Sequence, residues 1–137
     1  MKVVFDTNII ISSLLWQGLP NKLLKLVKHG KLQLCISHCI VEELSRVLRE
    51  AKFSHRIIVL NTSVEELIAG LSKLLKIYPD EIISPTVEVD PDDDTILSCA
   101  LTAGAKYIIT GDSHLLELKK WSNISILTPR QFLSHLR

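Results

Sequence analysis

Val3-Val4-Phe5-Asp6-Thr7-Asn8 and Tyr107-Ile108-Ile109-Thr110-Gly111-Asp112 follow one rule: a short apolar run, then a carboxylate within three positions. Branched and aromatic residues in a row suit a buried strand. A strand that leads straight into an acid places that charge at the carboxyl edge of a sheet. In open α/β sheets ligands and chemistry sit at that edge. With Asp90-Pro91-Asp92-Asp93-Asp94 added, the chain gathers more negative charge than a fold needs, and a divalent metal is the natural reason to gather it.

Outward from these two stretches, strand and helix patterns alternate. A buried strand is expected over 2–5 and a short helix over 9–15, stopped by Gly18 and Pro20. An amphipathic helix spans 21–29, with Gly30 closing it. A second strand covers 32–36, and Ser37 caps a helix to about residue 49 whose inner face is Ile40, Val41, Leu44, Val47 and Leu48. Residues 50–62 read as a connecting loop or a helical turn. Ser63-Val64-Glu65-Glu66 reads as a capping box for a helix reaching Lys76. Short strands are expected at Ile77-Tyr78 and Ile82-Ile83, a helix over 93–103, a strand over 106–109, a brief helix over 113–119 and a last strand over 124–127. Thr128-Pro129-Arg130-Gln131 then forms a capping box with Pro at the first helical position. Continuous apolar strands between helices predict a three-layer α/β/α sandwich around a central, mainly parallel sheet. Neither repeats nor a low-complexity linker divide the chain, so residues 1–137 are expected to form one domain.

Composition narrows the function classes. At 137 residues and 47% hydrophobic, the chain can bury a sizeable core and is not a disordered segment. It has neither a signal-peptide pattern nor an apolar run near the ~18 residues of a membrane span, so a cytoplasmic protein is expected. The three cysteines, Cys35, Cys39 and Cys99, form no CxxC pair and read as buried reduced thiols. Cys35, His38 and Cys39 lack a second Cys/His pair to complete a zinc tetrahedron. The net charge of +1 does not advertise a nucleic-acid binder. Lys22, Lys25, Lys28 and Lys31 recur every third residue and read as a solvated helix face.

Four positions carry the chemical argument: Asp6, Glu43 on the helix after the second strand, an acid among 92–94, and Asp112. Each has a bland alternative. Asp6 and Asp112 are good helix N-caps, Glu43 has an acidic neighbour on an exposed helix, and the 90–94 run suits a helix N-terminus. Sharing one sheet edge, however, unpaired carboxylates repel and raise one another's pKa. Mg²⁺ or Mn²⁺ removes that penalty through oxygen ligands and retained water. Such ions activate water and stabilise an in-line phosphoryl displacement.

Asp6-Thr7-Asn8 before Ile9-Ile10-Ile11-Ser12, Glu42-Glu43-Leu44, Asp90-Pro91-Asp92-Asp93-Asp94 before Ala100-Leu101-Thr102-Ala103-Gly104-Ala105, and Thr110-Gly111-Asp112 occur in this order along the whole chain. In these motifs the chain resembles the PIN domain family, and within it the VapC-like toxins of toxin–antitoxin systems. Each motif is short; the set at these spacings is specific. The resemblance implies a metal-dependent ribonuclease in which Asp6, Glu43, Asp112 and one central acid hold Mg²⁺ or Mn²⁺. Asn8 and Thr110 would orient those acids, with Ser37 and Ser12 near the cleft. The usual separation to the Thr-x-Asp motif favours Asp94 as the central acid, whereas aligning Asp-Pro-x-Asp favours Asp93. The resemblance also implies an RNA substrate, a cognate antitoxin protein and a homodimer. Exposed apolar residues around Trp16, Leu19 and 21–29 are candidates for a partner surface. One departure stands out: where many relatives carry a further acid two residues after Asp112, this chain has His114, which leaves one-ion and two-ion chemistry open.

Two other readings compete. A haloacid-dehalogenase-like phosphatase needs an acid where Asn8 stands and a recognisable Lys partner. A non-catalytic PIN-fold module that holds RNA or protein would be expected to lack one or more acids, and all four are present. Neither Gly-x-Gly-x-x-Gly nor Gly-x-x-x-x-Gly-Lys occurs, so dinucleotide and P-loop readings fall away.

Overall fold

The computed structural model describes residues 1–81 and 91–136, the side chains of 91–93 excepted. The expected strand at Ile82-Ile83, Asp90 and the side chains of Asp92 and Asp93 therefore lie outside the described residues. In chain order the elements are β1 (Lys2–Phe5), α1 (Thr7–Leu15), α2 (Leu19–Lys28), β2 (Gln33–Ser37), α3 (His38–Leu48), α4 (Ala51–Val59) and α5 (Val64–Ser72). They continue with β3 (Leu75–Tyr78), α6 (Pro91–Ala103), β4 (Tyr107–Ile109), α7 (Ser113–Leu118), β5 (Lys120–Trp121), β6 (Ile124–Leu127) and α8 (Pro129–His135).

The sheet has the order β3-β2-β1-β4-β6-β5 and is parallel except for the pairing of β5 with β6. Helices cover it as a three-layer α/β/α sandwich. Val3, Val4, Leu34, Ile36, Ile108 and Ile109 are fully buried, as strands covered on both faces require. The chain moves outward from β1 to β3, then returns past β1 to continue at β4. Crossovers are right-handed, so this reversal sends α6 to the face opposite α1 and opens a crevice at the carboxyl ends of β1 and β4.

Local chemistry explains most boundaries. Asp6, Ser37, Ser63, Asp112 and Thr128 each cap the helix that follows, accepting from a backbone amide two or three residues on. Thr128 and Gln131 form the expected capping box. The one expected at Ser63 is half made: Ser63 accepts from the Glu66 amide, but the Glu66 carboxylate takes the Thr62 hydroxyl instead. Gly30 and Gly104 follow α2 and α6 with φ of 75° and 69°, the left-handed turn that glycine adopts without strain.

Besides starts that fall two residues early in α1, α2, β3 and α6, with Pro20 inside the first turn of α2, three elements differ from the sequence reading. Residues 51–59 form α4, a helix that buries only Ile57. The helix expected to reach Lys76 ends at Ser72, and β3 begins at Leu75. The short β5 is an addition, turned back onto β6 through Ser122 and Asn123 at φ of 50° and 66°. Of the cysteines, Cys35 and Cys99 are buried as expected, but Cys39 is exposed near the start of α3. The expected partner surface divides. Leu23, Leu24 and Val27 belong to the core, while Trp16 is half exposed and lies edge-on to Phe53, its ring beside Arg56. Lys22, Lys25, Lys28 and Lys31 are exposed, as a solvated face requires.

Ile108 is fully buried at the sheet centre, so Ile108→Ala should cost about 2–5 kcal/mol through lost contacts and the cavity left behind. Leu101→Ala, on a residue 47% exposed, should stay within about 0.5 kcal/mol. Urea denaturation of both variants checks this, and equal effects would contradict the placement of the core.

Candidate active site

Asp6 and Asp112 end neighbouring strands on the two sides of the topological reversal. The Asp6 amide donates to the Ile109 carbonyl at 3.1 Å, which sets the start of α1 against the end of β4. Asp6 Oδ1 accepts from the Ile9 amide at 2.8 Å, and its Oδ2 takes the hydroxyl of Thr110. The same Thr110 oxygen accepts from the Asp112 amide at 2.9 Å. Thr110 is fully buried, so one hydroxyl fixes both acids. Asp112 Oδ1 accepts from the amides of His114 at 2.7 Å and Leu115 at 3.3 Å. Both acids thus serve as helix caps, and both stand at the carboxyl edge of the sheet.

The electrostatics separate this pair from ordinary caps. Asp6 is only 8% exposed, and its pKa is raised above the ordinary 3.8. Burial is the main cause and the charge of Asp112 adds to it, while hydrogen bonds from Thr110 and the Ile9 amide oppose both. Among the described residues no Lys or Arg forms an ion pair with either acid; the His114 ring stands beside Asp112, its Nδ1 3.6 Å from Oδ1.

The other expected acids line two adjoining hollows. Asp94, half-buried on α6, faces a space of about 160 Å³ with Ser37, Cys39, Asp80 and Ser98. Glu43, half-buried on α3, lines a second with Cys39, Glu42, Arg46 and Thr95. Cys39 and Thr95 belong to both hollows, so the space at Glu43 adjoins the space at Asp94. Ser37 is buried, and its hydroxyl accepts from the Ile40 amide at 3.4 Å. Asn8 is exposed on the first turn of α1, and Ser12 lies half-buried further along that helix. Among the described residues no three Asp, Glu, His or Cys side chains stand close enough to cage an ion together.

One acid at this edge escaped the sequence reading. Asp80 follows β3 after Pro79 and accepts from the Cys39 amide at 3.0 Å. That bond holds its pKa below the ordinary carboxylate value. The signal was present, since Ile77-Tyr78-Pro79-Asp80 repeats the strand-then-acid rule of Asp6 and Asp112.

The donor set fits a hard cation. It consists of oxygen, one carboxylate is desolvated, and the pair lacks a Lys or Arg counter-ion among the described residues. A small divalent ion that keeps its waters needs only one or two carboxylates.

The comparisons with known proteins agree with this fold. The PIN domain family model matches residues 2–114. Among solved structures, VapBC2 from Rickettsia felis, crystallised bound to a DNA fragment from their promoter, superposes with a TM-score of 0.59 at 18% identity, covering 92% of this chain and 97% of that one. PAE2754 from Pyrobaculum aerophilum gives a TM-score of 0.56 at 14% identity, with 99% and 89% covered. At these identities the likeness is one of fold. No curated protein matches the chain, and among the described residues no helix is long and apolar enough to cross a membrane.

A raised native pKa means that Asp6 favours folding while protonated and loses that contribution as pH rises from about its ordinary 3.8 through the native value. In EDTA, Asp6→Asn should therefore melt at or below wild type in acid and a few degrees above it at neutral pH. Thermal melts across that range check the sign; a difference that shrinks with rising pH would contradict the burial account.

Proposed function

This chain belongs to the PIN domain family, and from that premise we propose that it is a Mg²⁺- or Mn²⁺-dependent endoribonuclease, the toxin of a toxin–antitoxin pair. The observation that carries the reading is the buried Thr110 hydroxyl bonded to both Asp6 and Asp112 at the point where the sheet reverses. A structural cap needs one oxygen and one amide. Here a buried carboxylate is held against a second acid at a cost to stability, as a site built for a cation requires.

Asp6 and Asp112 are the core ligands in this reading. Glu43 and Asp94 complete the acidic edge from the adjoining hollows, and Asp93 remains the alternative to Asp94. Bound there, the cation supplies charge neutralisation and Lewis-acid activation for hydrolysis of a phosphodiester. Thr110 keeps the Asp6 carboxylate oriented by donating to Oδ2, and through the Asp112 amide it sets the spacing of the pair. Ser37 and Asn8 are assigned to the margin of the cleft. His114, beside Asp112, holds a position where an acid would add negative charge, which favours one ion over two.

The substrate is RNA in single-stranded or looped regions, where the backbone reaches the crevice without a paired strand in the way. A cognate antitoxin would cover the acidic edge, and a homodimer would lengthen the RNA path. The VapBC2 neighbour supports the toxin–antitoxin assignment by its fold and its partner. The site of action in this reading is the cytoplasm.

Incubation of a mixed-sequence single-stranded RNA with Mn²⁺, Mg²⁺ or EDTA tests the activity. Cutting should require the metal, and Asp6→Asn or Asp112→Asn should reduce it more than about 100-fold, with Thr110→Ala losing about 10–100-fold through misplaced ligands. Equal cutting in EDTA, or by Asp6→Asn, would refute the assignment. RNA retention without cutting by folded wild type would favour the non-catalytic binding module.

A further inference from the structure

Cys39 and Glu43 stand one turn apart on the same face of α3, and both line the hollow shared with Glu42, Arg46 and Thr95. Whatever fixes the first turn of α3 therefore bears on where Glu43 is presented. Two side chains hold that turn. Ser37 accepts from the Ile40 amide at 3.4 Å, near the long limit of a hydrogen bond. Asp80 accepts from the Cys39 amide at 3.0 Å, the shorter of the two bonds.

Asp80 reaches this amide from another strand. It follows β3, which pairs with β2 through Ser37 and Tyr78, the last residue of each strand. β2 leads directly into α3, so the Asp80 bond closes a bracket from the exit of β3, across the strand pair, to the first turn of the helix. A carboxylate at this place also complements the positive end of the α3 dipole. Asp80 lines the same hollow as Asp94 and Ser37. It thus shares a hollow with the acid on α6 and bonds the helix that carries Glu43.

We infer that Asp80 is a positioning residue for the acidic edge: its carboxylate clamps the first turn of α3 to the exit of β3 and so fixes how Glu43 is presented to the hollow that adjoins Asp94's. This role rests on the metal-dependent reading of those acids. It differs from a ligand role in what it demands of the side chain. A clamp needs an acceptor for the Cys39 amide, which an amide side chain also provides, whereas a cation ligand or an electrostatic role needs the charge.

The test uses the full chain as wild type, Asp80→Asn and Asp80→Ala, with three readouts: exchange of the Cys39 amide by NMR, Mn²⁺ affinity, and RNA cleavage. Asp80→Ala should speed Cys39 exchange and weaken Mn²⁺ binding by about tenfold, as loss of a group that orients a ligand does. Asp80→Asn should restore both to within about twofold of wild type, since Asn caps a helix as well as Asp. An unchanged Mn²⁺ affinity in Asp80→Ala would overturn the role, even if the melting temperature fell, because that marks a stabilising cap and nothing more. Asp80→Asn failing as badly as Asp80→Ala with the Cys39 amide still protected would overturn it in favour of a charge role. A wild type that binds no Mn²⁺ and cuts no RNA would remove the metal-dependent reading and this role with it. Wild-type Mn²⁺ binding with an indifferent Asp80→Ala would sink the Asp80 role alone.

Discussion

The hydroxyl of Thr110 is the interaction on which the acidic edge depends. It donates to Asp6 and accepts from the backbone of Asp112, so two residues 106 positions apart in sequence are set by one buried oxygen. The arrangement requires β1 and β4 to be neighbours and parallel, and that in turn requires the chain to reverse direction across the sheet between β3 and β4. The fold brings the acids together, and the hydroxyl sets their spacing.

Burying a carboxylate next to another acid works against folding, and the raised pKa of Asp6 records it. Part of this is offset locally: Asp6 and Asp112 each cap a helix, so the residues that make the site also satisfy amides that would otherwise lack partners. In the proposed function, structural and chemical roles fall on the same side chains. The capping interpretation describes both residues, and the metal site proposed above would use the same two carboxylates.

The strands at the sheet centre were legible because strands buried on both faces are written as continuous apolar runs, as in Val3-Val4-Phe5 and Tyr107-Ile108-Ile109. The caps were legible because their chemistry is local. What failed was peripheral. Helix α4 buries only Ile57, and β3, at the sheet edge, leaves its two central residues exposed between half-buried ends, so neither has the continuous buried face of the central elements. Asp80 was missed because Pro79 separates it from its strand and because its partner, the Cys39 amide, is 41 residues away. Of the candidate site, Asp6, Thr110 and Asp112 are joined by direct hydrogen bonds, and Glu43 and Asp94 by neighbouring hollows with shared walls. Asp93 and Asp94 adjoin at the start of α6, where helical phase alone does not choose between them.

Soaking crystals of the chain in Mn²⁺ and recording an anomalous difference map tests the central claim most directly, because it locates the ion without reference to any substrate. A peak within ligand distance of the Asp6 and Asp112 carboxylates, absent from Asp6→Asn crystals, is the predicted result. A map without density there at millimolar Mn²⁺, or a peak that persists unchanged in Asp6→Asn, would mean that the two acids are helix caps held together for structure alone.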